Sequence, residues 1–175
     1  MVQNRTLNYV YLIPIFLFIG LVADGVVTNI FSPYLLDNSV VFVPRIMLLL
    51  FVVFTLFFPK QPLFLYALLF GMMYDSYYIG ILGIYVTALA SCIYLLKRSQ
   101  KFISSAPIMV FIVYILSVCY VEIFVFGTYS LLGLASIPFT TFLSTRLGPA
   151  VLLNLFILII LYYPLRKLSQ WMYSV

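Results

Sequence analysis

The sequence predicts an all-α integral membrane protein: one polytopic domain over residues 1–175 with about six transmembrane helices. Three observations carry this expectation. Hydrophobic residues make up 66% of the chain and charged residues only 7%, against about a quarter charged in average soluble proteins. The apolar residues fall in unbroken runs rich in Leu, Ile, Val and Phe, not in the alternating segments of about 10 residues that a barrel shows. A helix satisfies its own backbone inside such a run, as the bilayer requires. Finally, the basic residues stand between the runs, so the net charge of +5 reads as membrane topology and not as nucleic-acid binding.

A span needs about 20 mostly apolar residues. The first is expected over residues 7–28, with Pro14 as a kink. Residues 1–6 hold one Arg, but the apolar run after them is too long for a signal core and no A-x-A-like site follows. The run therefore reads as a retained first helix. Residues 31–39 form a turn-rich break, and the second helix is expected over 40–58. Pro59, Lys60, Gln61 and Pro62 end it. The third is expected over 63–77 and the fourth over 81–96, separated by a stretch rich in Gly and Tyr. A basic loop over 97–101 follows. The fifth is expected over 107–126, with Pro107 near its start, where proline is tolerated. Residues 127–145 hug the membrane, and the sixth helix, over 149–165, is closed by Arg166 and Lys167.

The positive-inside rule sets the orientation. With a cytoplasmic N-terminus, Arg5, Lys60, Lys97, Arg98, Lys101, Arg166 and Lys167 are cytoplasmic, and only Arg45 and Arg146 fall toward the outer side. Both termini are then inside. Five spans, with residues 63–96 as one re-entrant unit, would break this pattern.

Charges inside a membrane are costly and face a bundle interior. At about 1.5 Å per residue, Asp24 lies roughly 24 Å up the first helix, Asp75 roughly 20 Å up the third and Glu122 roughly 25 Å up the fifth. Arg45 lies roughly 7 Å below the outer face on the descending second helix, and Arg146 joins from the start of the sixth. This layer reads either as a polar site opening outward, for a ligand or a partner's helix, or as an interhelical ion-pair network such as Arg45 with Asp24 or Asp75. Tyr74, Tyr77, Tyr78 and Tyr85 read as an interfacial aromatic belt. Gly80 and Gly83 allow a tight turn or close helix contact.

Enzyme chemistry is not expected. The chain has no His, so neither a Ser–His–Asp nor a Cys–His set can form, and no phosphate-cradling glycine loop is present. Cys92 and Cys119 read as buried hydrophobes, far from any disulfide framework or metal-ligand spacing. No catalytic, cofactor-binding or metal-binding residue is predicted.

The stretch from Val43 to Arg98 resembles the MreD family of bacterial shape-determining proteins. The residues that carry the resemblance are Pro44 at the second span, Gly71-x-x-x-Asp75, then Gly80-x-x-Gly83-x-Tyr85, followed by a helix ending in Lys97 and Arg98. The resemblance implies a non-catalytic plasma-membrane scaffold of the elongation machinery, the elongasome, acting in cell shape and peptidoglycan synthesis. It implies association with a single-span MreC-type protein, and a shared system with a RodA-type glycosyltransferase and a class B penicillin-binding protein. The same architecture is similar to the bundle of the substrate-binding subunits of energy-coupling-factor vitamin transporters, which makes such a subunit the rival reading. Against it, the first helix lacks an Ala-x-x-x-Ala motif, and no cluster of Asn, Gln and Trp marks a vitamin pocket. Membrane lipids, met by the basic 97–101 loop, complete the expected partners; nucleic acid is not among them.

Overall fold

The computed structural model describes residues 5–31, 40–103, 106–135 and 137–174. The predicted break over 31–39 therefore lies outside the described residues beyond Phe31. Helix α1 spans Arg5–Ile30 and carries Pro14. Helix α2 spans Ile46–Phe57. Helix α3, Leu63–Tyr74, runs on into a π-helical turn, Asp75–Ile79. Helix α4 spans Ile84–Ser99 and ends in a 3₁₀ turn, Gln100–Phe102. Helix α5 spans Pro107–Leu131. The short α6, Phe139–Phe142, passes through a second π-helical turn, Leu143–Leu147, into α7, Gly148–Ser174. Among the described residues there is no strand.

Among the described residues, three helices are long and apolar enough to cross a membrane: Tyr11–Ile30, Pro107–Leu131 and Phe139–Met172. Helix α2 is different. Its 12 residues rise roughly 18 Å, short of a hydrocarbon core of about 30 Å. Every residue from Met47 to Leu56 is buried, and α2 touches α1, α3, α4, α5 and α7. It is the central strut of the bundle. Phe16 of α1 meets Phe54 at 6.4 Å, and Phe70 of α3 meets Phe51 edge-on at 6.5 Å. At the end where α2 finishes, Lys97 donates to Gln61 O at 2.8 Å and the Gln100 amide donates to Thr55 O. This ties the basic end of α4 and the 3₁₀ turn after it to the end of α2 and the turn between α2 and α3; the loop expected over 97–101 is helical to Ser99.

Several helix limits differ from those expected, each for a local reason. The second helix starts at Ile46 and not at residue 40. Pro44 disfavours helical backbone at Val43, and residues 40–45 run outside any helix. The fourth starts at Ile84 and not at residue 81 because Gly80 and Gly83 adopt φ of 75° and 109°, which a helix cannot include. The fifth runs through Gly127 to Leu131. It ends where Gly133, at φ 69°, lets Gly133 N and Leu134 N bond back to Ser130 O and Tyr129 O, a Schellman cap. The last helix continues past Arg166 and Lys167 because Leu165, Ser169 and Met172 keep one buried stripe at helical spacing.

Candidate functional site

The charged residues sit where helices start and stop. An α-helix leaves its first N–H groups without partners. At the start of α2 they are met by Asp24, late in α1: Ile46 N donates to Oδ1 at 2.5 Å and Met47 N to Oδ2 at 3.2 Å. At the start of α4 they are met by Asp75, at the end of α3. Gly83 N and Val86 N donate to Oδ2 at 2.8 and 3.2 Å, and Tyr85 N to Oδ1 at 2.9 Å. The turn between them needs Gly80 and Gly83 for their positive φ. Gly71 serves closeness instead: a Cβ there would lie 2.7 Å from Val86 Cα, so α3 and α4 pack backbone to backbone.

Arg45 is the centre of the layer. It is 3% exposed. Its Nε and Nη2 donate to Glu122 Oε1 at 2.9 and 2.5 Å, and its Nη1 donates to Tyr74 Oη at 2.9 Å. The guanidinium carbon stands 4.9 Å from the Tyr85 ring centroid and 5.6 Å from that of Tyr74. Those two rings stack at 4.0 Å. Glu122 Oε2 accepts from Arg146 Nε at 3.1 Å. One buried carboxylate therefore bridges two arginines, and two tyrosine faces add cation–π attraction to the inner one.

The bent approach to α2 is held by side chains. Buried backbone outside a helix needs other groups to satisfy its N–H and C=O. Asn154 of α7 does this twice: its Nδ2 donates to Val43 O and its Oδ1 accepts from Arg45 N, both at 2.8 Å. Tyr114 of α5 donates to Arg45 O at 3.1 Å and Asn154 Oδ1 at 2.9 Å. Val41 N bonds Thr145 O at 2.8 Å.

The structure thus brings Asp24, Arg45, Asp75, Glu122 and Arg146 to one end of the bundle. Arg45 pairs with neither Asp24 nor Asp75. Both aspartates turn to the N–H groups of the next helix, and the carboxylate left for Arg45 is Glu122. Pro44, next to Arg45 in the chain, is buried. The aromatic belt needs the same correction. Tyr77 and Tyr78 are exposed, but Tyr74 and Tyr85 are buried against Arg45. Sequence reasoning missed Asn154 and Tyr114. The signal was there in Asn154, a lone amide in the apolar run from 149 to 165. Cys92 and Cys119 are free thiols.

A cavity of about 770 Å³ opens beside this network. It lies between the far end of α1 and α5, and both π-helical turns reach it, one through Tyr78 and Ile79 and the other through Arg146. Chemically the layer can hold helix ends together and present one partly exposed arginine to the cavity.

Comparison with known proteins points in one direction. The family model for "rod shape-determining protein MreD" matches residues 4–172. The rod shape-determining protein MreD of Bacillus subtilis (strain 168) is 29% identical over 157 residues, which cover 89% of this chain and 91% of that protein. No solved structure matches the chain.

Proposed function

The chain belongs to the rod shape-determining protein MreD family, and on that premise we propose that it is a non-catalytic, multi-pass membrane scaffold of the cell-wall elongation machinery. In this reading its six longer helices build the membrane bundle, the short α2 completing its crossing through the non-helical residues 40–45, with both termini in the cytoplasm, in an arrangement like the bundle of energy-coupling-factor substrate-binding subunits. An MreC-type single-span protein is the direct partner. A RodA-type glycosyltransferase and a class B penicillin-binding protein act in the same assembly.

The observation that carries the reading is how the acidic residues inside the bundle are engaged. Asp24 and Asp75 cap helices, and Glu122 bridges two arginines. All three serve to fix helix ends, the work of a rigid frame. The outer turn through Gly80 and Gly83, held by Asp75, is the part we assign to partner contact, together with the exposed apolar faces of the outer helices. The basic 97–101 segment meets anionic lipid headgroups. A vitamin-transport role is left aside, because the family match and the Bacillus subtilis relative both point to shape determination.

The test is affinity purification of the tagged chain from its native membrane in mild detergent, with mass spectrometry of what accompanies it. An MreC-type protein and wall synthases are expected. Two ATPase subunits with a coupling membrane protein would overturn the reading.

A further inference from the structure

The cavity at the charged end has a chemistry that the scaffold role does not use. At about 770 Å³ it is within the range of ligand sites, about 300–1,000 Å³. One part of its wall is apolar, from Val22 and Val26 on α1, Ile79, and Val125 on α5. The charged part is Arg45, Arg146 and Asp24. The two oxygens of Asp24 face the start of α2, where the helix dipole offsets negative charge. Arg45 is enclosed by Glu122 and Tyr74. Arg146 is different. Its side chain is 39% exposed, and only Nε is engaged, by Glu122. Among the described residues no hydrogen-bond acceptor meets its two Nη groups. A guanidinium fork of this kind binds phosphate or carboxylate through paired N–H groups. Arg146 and Tyr78 also stand on π-helical turns, irregularities that concentrate at functional sites.

We propose that this cavity binds the oxyanion head of an amphiphile, a lipid phosphate, with the phosphate on the Nη groups of Arg146 and the start of the tails against Val22, Val26 and Val125. An apolar spanning helix of a partner suits the site less well, because it would leave the Nη groups of Arg146 without an acceptor. The site goes beyond the scaffold reading and stands or falls separately from it.

The test is native mass spectrometry of the full chain, stripped of lipid in detergent and titrated with phosphatidylglycerol. Diacylglycerol serves as the phosphate-free control and inorganic phosphate as the competitor. One phosphatidylglycerol is expected to be retained, and diacylglycerol not. Arg146→Gln should weaken retention about tenfold or more, and Arg166→Gln, at the far end of α7, should leave it unchanged. Val26→Trp fills the cavity without touching an ion pair and should cause the same loss, which guards against misfolding of the arginine variant. Displacement of the lipid by inorganic phosphate at millimolar concentration would keep the oxyanion site and assign it to a free anion. Equal retention of diacylglycerol would overturn the proposal. So would retention unchanged by both variants. If Arg146→Gln instead reduced only the recovery of a protein partner, the lipid site would fall and Arg146 would belong to a protein interface.

Discussion

Asp24 and Asp75 perform the same task in two successive hairpins: each stands near the end of one helix and accepts the unpaired N–H groups at the start of the next. Asp24 serves Ile46 and Met47; Asp75 serves Gly83, Tyr85 and Val86. Both are buried, Asp24 at 2% and Asp75 at 0% exposure. Each hairpin is therefore closed by a carboxylate that crosses between its two helices.

Removing either carboxylate should destabilise the bundle strongly. Each leaves two or three buried or part-buried N–H groups unpaired, at about 1–3 kcal/mol for each that is fully buried. Asp75→Ala is expected to lower the thermal midpoint in detergent more than Asp24→Ala, because it strands one more donor. Asp75→Asn keeps an acceptor oxygen and should fall between Ala and the native protein. Equal midpoints for Asp75→Ala and the native protein would remove the capping role.

The glycines should separate into two kinds. Gly71→Ala puts a methyl 2.7 Å from Val86 Cα, so α3 and α4 must move apart. Gly80→Ala meets no atom within 4 Å and suffers only the left-handed backbone penalty, about 1–2 kcal/mol. Thermal unfolding of the two variants should show the larger loss at Gly71. The reverse order would mean that α3 and α4 are not packed backbone to backbone.

Asn154 is the residue on which the bend before α2 depends. Asn154→Leu strands Arg45 N and Val43 O together, while Tyr114 keeps its bond to Arg45 O. Loss of a few kcal/mol is expected, at about 1–3 kcal/mol for each stranded group. Asn154→Asp keeps the acceptor but loses the donor to Val43 O. Hydrogen exchange at the Arg45 amide should rise in the Leu variant and stay slow in the Asp variant. Fast exchange at that amide in the native protein would contradict the role.

Much of this was legible from residue order alone. Runs of apolar residues located the helices, and rise per residue placed Asp24, Arg45, Asp75, Glu122 and Arg146 at one level. The Gly80 and Gly83 turn followed from glycine's backbone freedom. Pairing was not legible, because an aspartate near a helix end is equally suited to an arginine and to the bare N–H groups of the next helix. Only the rotation of α1 against α2 decides which it meets. The short α2 was hidden too. Residues 40–43 are as apolar as the helix that follows, and the non-helical backbone that Pro44 favours there is satisfied by Asn154, more than 100 positions away in sequence. Tyr74 and Tyr85 looked interfacial because burial against Arg45 depends on how α3 and α4 meet.

The buried pair of Arg45 and Glu122 offers the most direct test that these charges build a frame and perform no chemistry. Breaking a buried ion pair from one side costs about 3–5 kcal/mol, whereas replacing both partners by apolar residues of similar size is often neutral. The measurement is cell-shape complementation by Arg45→Met, by Glu122→Met and by the double variant, with the folded protein in the membrane quantified in parallel. Each single variant is expected to lose folded protein and cell shape. The double variant should recover both together. A double variant that folds to native levels while cells stay misshapen would contradict the account, and would place Arg45 or Glu122 in the working chemistry of the protein.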